Sequence, residues 1–208
     1  AEYNPFHLGH KKQLHKLREQ FSHATIIAVM SASFVQRGEP AMFTKYDRAR
    51  WALANGCDVV FELPTVYSVS SAEGFASGAM RLLHSIGVPS FSFGSEITDI
   101  TVLSLAVQTL LDSTVQLRCR ELLQEGLFYG TALRTAVAEV NPSAAEVLNL
   151  PNALLGIEYM KASETYGLNL QPFPIQRNSS HHSNSLPNTK LPLLSEEINT
   201  NVQTLPSG

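Results

Sequence analysis

The sequence predicts an α/β fold, a mostly parallel sheet with helices on both faces, followed by a helical appendage. Three observations carry this. Short β-branched runs alternate with helix-period segments over the first hundred residues. Each pair of runs is separated by a helix-length crossover, as parallel strands require. Past residue 100 the alternation stops and helical segments follow one another.

Residues 9–21 set Leu14, Leu17 and Phe21 on one helical face. Residues 24–30 are a short apolar run rich in β-branched side chains, a buried strand. Thr44-Lys-Tyr-Asp47 has the form of a capping box, with Asp for the usual Glu, and opens a helix ending at Asn55-Gly56. Residues 57–62 are the next strand, stopped by Pro64. Residues 71–86 are a helix with Glu73 in its first turn, where the helix dipole favours a carboxylate. Gly87 ends it, and residues 90–93 form the third strand. Further helices are expected over 102–112, 115–124, 129–140 and 153–166. Residues 168–175 form one more strand, confined to a sheet edge by Pro172 and Pro174. From 178 to 208 the chain is rich in Ser, Asn, Thr and Pro, and little fixed structure is expected. The expected divisions are an α/β core over 1–100, a helical block with a returning edge strand over 101–177, and a tail over 178–208.

With 44% hydrophobic and 16% charged residues among 208, the chain can build a real core, and wholesale disorder is excluded. A net charge of -3 excludes a chain-wide electrostatic grip on nucleic acid but leaves room for a local basic patch. Cys57 and Cys119 are too few for a disulfide framework and read as reduced thiols, which points to the cytoplasm. No signal peptide opens the chain, and no run approaches the roughly 20 apolar residues of a membrane helix, so no membrane partner is expected.

Asn4-Pro5-Phe6-His7-Leu8-Gly9-His10 lies between a strand end and a helix start. Two imidazoles there can donate hydrogen bonds to phosphate oxygens as charge builds on them. Gly9 lets a ligand approach the backbone, and the helix start offers N–H groups and a positive dipole end to an anion. Taken alone, the spacing also fits incidental surface histidines. A helical zinc pair would bring an acidic residue inside the motif and a third ligand; neither is evident, and no metal site is assigned. His15, His23 and His84 have no motif around them and read as structural or surface residues. Residues 36–40 are a polar loop after a buried strand, where substrate groups are met. Arg37 and Lys45 are candidates for contact with phosphate or a carboxylate. Lys45, Arg48 and Arg50 begin a helix face, read either as ordinary solvation or as RNA backbone contact.

The opening segment resembles the signature of the HIGH superfamily of nucleotidylyltransferases and adenylate-forming enzymes, a Rossmann-like fold with His-x-Gly-His after its first strand. Further motifs follow in order. They are Met30-Ser-Ala-Ser-Phe-Val-Gln-Arg-Gly-Glu-Pro-Ala41, Lys45-Tyr-Asp-Arg-Ala-Arg-Trp-Ala-Leu53, Asp58-Val-Val-Phe-Glu-Leu-Pro64, Phe91-Ser-Phe-Gly-Ser-Glu96 and Leu150-Pro-Asn-Ala-Leu-Leu-Gly156. Together they are similar to the bacterial tRNA(Met) cytidine acetate ligase family over residues 1–177. The resemblance implies ATP as co-substrate, with Mg2+ accompanying it. Acetate attacks the α-phosphate to give acetyl-adenylate, and the acetyl group passes to N4 of the wobble cytidine of elongator tRNA(Met). It implies ATP contacts from Asn4, Pro5, Phe6, His7, Gly9, His10, Gly94, Asn152 and Arg177, with His7 and His10 stabilising charge on the α-phosphate.

The later residues also have readings of their own. Gly94 ends a strand where open parallel sheets bind ligands, and is otherwise a turn glycine. Asn152 suits a ribose or base contact, and is otherwise a helix N-cap. Arg177 offers a planar fork to phosphate, and is otherwise a solvated charge.

Three departures from the family stand out. Its members carry several apolar residues before the position of Ala1, they continue into helical structure that helps bind tRNA, and they have a Ser-Ala-x-x-Ile-Arg element after Arg177. Here Lys190-Leu-Pro-Leu-Leu-Ser-Glu-Glu-Ile198 stands instead. Codons for Leu191 to Ile198, read one base earlier, can give Ile-Ala-Ser-Ala-Ile-Arg-Arg-Asn, so a frameshift near Lys190 is one reading, which the underlying DNA decides. The expectation is a truncated N-terminal catalytic part of such a ligase, dependent on a C-terminal region for tRNA. Two readings compete with it: a nucleotidylyltransferase acting on a phosphorylated small molecule, and a nucleotide- or RNA-binding fragment without turnover.

Overall fold

Helix α1 (Leu8–Gln20) leads into strand β1 (Ile27–Ser31), and helix α2 (Lys45–Ala54) into β2 (Val59–Leu63). A short helix α3 (Thr65–Ser68) and the longer α4 (Ala72–Ser85) precede β3 (Ser90–Ser95). Then come α5 (Ile100–Leu111), α6 (Ser113–Gln124), α7 (Tyr129–Val140), α8 (Pro142–Val147), α9 (Pro151–Thr165) and strand β4 (Gln171–Gln176). This architecture is that of a computed structural model, which describes residues 1–177. The tail and its frameshift reading lie outside the described residues.

The helix starts follow from their caps. The Thr44 hydroxyl accepts the Asp47 N–H at 3.2 Å, and the Ser71 hydroxyl accepts that of Gly74 at 3.3 Å. Asp99, Asp112 and Asn141 cap α5, α6 and α8 in the same way.

The strands pair in parallel, as the crossovers require, but in two halves. β1 pairs with β2 from Ile27 opposite Val59 to Ser31 opposite Leu63. β3 pairs with β4 from Ser90 opposite Gln171 to Ser95 opposite Gln176. A further partner of β1 is Ala1, which donates to the Val29 carbonyl at 2.6 Å and accepts from the Ser31 N–H at 3.0 Å, a parallel bridge. On β4, Gln171 and Arg177 direct their N–H groups to Pro89 and Ser95. Strand alternation then turns the nitrogens of Pro172 and Pro174 away from β3, as expected for an edge strand.

Helices cover both faces of the β1–β2 pair. Ala28 and Met30 pack with Leu14 of α1 and Ala52 of α2, while Val29 and Leu63 pack with Phe75 and Ala79 of α4. A larger core joins Phe91 and Phe93 of β3 to the helices from α5 to α9. In α9, Gly156 is set against the Phe93 ring: a Cβ there would lie 2.1 Å from a ring carbon. That close approach fixes the start of α9 beside the carboxyl end of β3. Among the described residues, no single helix is long and apolar enough to cross a membrane.

Arg48 corrects the sequence reading of a solvated helix face. It has no exposed surface. Its guanidinium donates to the carbonyls of Glu2 (2.5 Å), Ser31 (3.0 Å), Phe43 (3.2 Å) and Ala32. Arg48 shares the inward face of α2 with Ala52, four residues on, so a charge that resembled surface lies under the loop after β1.

Three outcomes are expected. Arg48→Met leaves those carbonyls without their donor and costs about 3 kcal/mol in urea denaturation. Arg48→Lys recovers only part of this, because a point charge cannot match the fork. Gly156→Ala lowers stability by about 1–3 kcal/mol in the same assay, through its clash with Phe93.

Candidate active site

The opening motif forms the start of α1, and its two imidazoles are locked there. His7 is the N-cap: its Nδ1 accepts the Gly9 N–H at 3.0 Å. The His10 Nδ1 accepts the His7 N–H at 3.2 Å, closing a capping box made of histidines. The rings stack with centroids 3.7 Å apart. Because each Nδ1 is an acceptor, each neutral ring carries its proton on Nε2. The sequence reading expected bare N–H groups at this helix start. The structure gives one of them to His7, so the site presents imidazole donors in front of the helix.

Tyr3 and Phe6 pack against His10 with ring centroids 4.9 and 5.4 Å away. Burial, with the nearby charges of His7 and Arg177 adding to it, pushes the His10 pKa down to about 3. His10 is therefore a neutral donor across the physiological range. Asn4 is used structurally, since its Oδ1 accepts the Met42 N–H at 2.7 Å. Glu2 likewise accepts the Gln36 N–H at 2.8 Å. Together they tie the loop after β1 to the opening segment.

A cavity of about 910 Å³ lies between β1 and β3, reaching the carboxyl end of β3, within the range of small-molecule sites. Pro5, His7, His10, Gly94, Asn152 and Arg177 all line it, and Phe75, Met80 and Leu155 give it an apolar wall. The fold thus brings together residues from positions 5 to 177. Gly94 serves differently from the expectation. A Cβ there would stand 2.3 Å from the Arg177 Cδ, so the room it leaves is taken by the arginine stem. Asn152 is not the cap of α9, which is Leu150; its Oδ1 accepts from Arg177 Nη1 at 2.9 Å.

Lys45 is not brought to the cavity and pairs with Glu62 at 2.6 Å. Arg37 lies in a 3-10 turn, Gln36–Gly38, and its side chain falls outside the described parts. His15 pairs with Glu19 on the surface.

Sequence reasoning missed Glu96. Its carboxylate accepts Asn152 Nδ2 at 2.6 Å and the backbone N–H groups of Asn152 and Ala153 at 3.4 and 2.8 Å. These bonds hold the Glu96 pKa below the usual carboxylate value despite the opposing effect of burial. Its signal in the sequence is its place at the close of the motif over residues 91–96, but its partners lie more than fifty residues away. Ser92 was also passed over; its Oγ is buried on the cavity wall with no hydrogen-bond partner among the described residues. The described residues hold no group of three or more His, Cys, Asp or Glu side chains able to hold a metal ion.

A model of the HIGH Nucleotidyl Transferase family matches residues 1–195. The chain belongs to that family. Other members resemble it closely. The tRNA(Met) cytidine acetate ligase of Clostridium kluyveri is 40% identical over 91% of this chain and 49% of its own length. That of Thermoanaerobacter pseudethanolicus is 42% identical over 86% of this chain and 46% of its own. A crystal structure of Thermotoga maritima TmcAL bound with alpha-thio ATP superimposes with a TM-score of 0.81 at 37% identity, covering 88% of this chain and 46% of that one. The chain spans about half the length of the curated relatives it matches. The parallel strands with helices on both faces are the Rossmann-like arrangement expected of a HIGH nucleotidyl transferase.

The low His10 pKa makes stability depend on pH in a defined direction. Below about pH 6.5 the unfolded chain binds a proton at His10 that the folded chain refuses, down to about pH 3. Stability falls across that window as pH falls, by at most about 1.4 kcal/mol per unit from this group. Melting the chain and His10→Gln at pH 7 and pH 5 checks it: the unmodified chain loses more on acidification.

Proposed function

We propose that this chain carries the ATP-dependent, adenylate-forming chemistry of a tRNA(Met) cytidine acetate ligase. The observation that carries the reading is the convergence of two imidazoles, each held at Nδ1 by a backbone N–H, and the Arg177 guanidinium on one cavity beside β3. The names of the relatives supply the substrate class, and the alpha-thio ATP of the Thermotoga maritima structure supports a nucleotide in this fold.

ATP lies with its triphosphate toward the start of α1 and its nucleoside toward Gly94 and Asn152. An acetate oxygen attacks the α-phosphorus, the bond to the bridging oxygen breaks, and pyrophosphate leaves. His7 and His10 donate through Nε2–H to the oxygens on which charge grows, and Arg177 adds a fixed positive charge. No side-chain nucleophile is needed, because acetate fills that role. N4 of the wobble cytidine then attacks the acetyl carbon, AMP departs, and the N4 proton goes to solvent. Since His10 stays neutral, it acts in both steps as an uncharged donor.

The donors at the phosphate end suit an anion. The two carboxylates nearest them are engaged elsewhere, Glu96 with the start of α9 and Glu2 with the Gln36 N–H, so a magnesium ion would be held by the phosphates of the nucleotide. With a net charge of -3 here, we assign the main grip on elongator tRNA(Met) to the half of the relatives that lies outside the match. Two buried free thiols fit a reducing cytoplasm.

The test is acetate-dependent exchange of pyrophosphate into ATP. The chain is expected to exchange only with acetate, and His10→Ala to lower the rate about 100-fold or more. Exchange that ignores acetate and requires a phosphate monoester would overturn the reading in favour of a nucleotidylyltransferase. Bound ATP without exchange, unaffected by His10→Ala, would leave a binding module. Gly94→Ala is expected to weaken ATP binding about tenfold by displacing the Arg177 stem, as isothermal calorimetry would show.

A further inference from the structure

We infer that Glu96 is a positioning residue for Arg177, acting through the side-chain amide of Asn152. The amide of an asparagine can face either way, and here chemistry decides. A carboxylate accepts and cannot donate, so the amide nitrogen must face Glu96, 2.6 Å away. The amide oxygen is thereby turned to Arg177, 2.9 Å from Nη1. The opposite orientation would set oxygen against carboxylate and NH2 against guanidinium, two repulsive contacts in place of two bonds.

Interposing a neutral amide has a further effect. A carboxylate bonded directly to Arg177 would orient the guanidinium but also neutralise it. Glu96 orients it through one intervening group, and the bond that Arg177 makes is to an uncharged oxygen. The positive charge is aimed and still available to an anion in the cavity. The same carboxylate occupies the first turn of α9 through the N–H groups of Asn152 and Ala153. That helix start is therefore satisfied from within, and an anion in the cavity is drawn instead to Arg177 and the imidazoles. Two more contacts hold the relay in line: Gln176 Nε2 donates to the Glu96 carbonyl at 3.0 Å, and the Arg177 stem lies over Gly94.

The inference rests on the proposed nucleotide site only for what Arg177 meets; the orientation itself is tested without ligand. Phenylglyoxal modification of Arg177, followed by peptide mass mapping on the unliganded chain, is compared for the unmodified chain, Glu96→Gln, Glu96→Asp and Asn152→Ala. Glu96→Gln and Asn152→Ala are expected to react about tenfold faster, the ratio carried by one lost charge-assisted bond, and Glu96→Asp to stay near the unmodified chain. Melting curves taken alongside identify any variant that has unfolded; if Glu96→Gln has, Asn152→Ala decides. Unchanged Arg177 reactivity in the folded variants overturns the inference.

ATP titration gives the second reading. Glu96→Gln is expected to weaken binding about tenfold in the unmodified background and to have no further effect on Arg177→Ala, because both act through one group. Full additivity would overturn the relay. If the unmodified chain binds no ATP, the proposed function fails, and the modification rates still decide the role of Glu96.

Discussion

The site depends on how the opening segment is held, and the buried guanidinium of Arg48 does most of that holding. It reaches backbone carbonyls from Glu2, from the end of β1 and from the loop beyond it. Glu2, the junction of Ser31 and Ala32, and Phe43 lie far apart in sequence, yet they meet in space around this one side chain. A guanidinium suits the task because its donors lie in one plane at fixed angles, so several carbonyls must adopt one arrangement to satisfy it. Asn4 and Glu2 extend the same constraint outward by holding the loop at Met42 and Gln36.

Around that anchor the cavity has two walls of different character. The α1 wall presents imidazole rings whose orientation is set by backbone N–H groups bonded to their Nδ1 atoms. The wall formed by β3, α9 and the end of β4 presents a cation. An anion between them meets donors on both sides, while the carboxylates of Glu96 and Glu2 are bonded to backbone N–H groups, at a helix start and at Gln36. Such a site needs little reorganisation when charge shifts within a bound phosphate chain, which is the condition for electrostatic catalysis.

Much of this was legible in the sequence, for physical reasons that differ by element. Long helices announced themselves through apolar spacing and capping residues, and α7 spans the residues expected for it. The short helices α3 and α8 were not read, because four to six residues carry too little periodicity. β1 begins later than its apolar run, since the Ile26 N–H goes to the Asp58 side chain rather than into the ladder. The histidine motif was visible as a local pattern. The uses of Gly94 and Asn152 were not, because each is defined by a residue far along the chain: Arg177 for one, Glu96 and Arg177 for the other. Arg48 misled because helix spacing shows which residues share a face but not which face meets backbone carbonyls.

The two prolines of β4 have a consequence beyond local geometry. A strand at the margin of a sheet ordinarily offers a row of donors and acceptors on which another chain can build. Here the outward positions of β4 are Pro172, Pro174 and Gln176, so two of the three have no N–H to give. A foreign strand would find acceptors but almost no donors and could not complete a ladder. The prolines thus act as a chemical terminus to sheet growth, guarding this margin against edge-to-edge self-association while Arg177, one residue past the strand, remains inside the cavity.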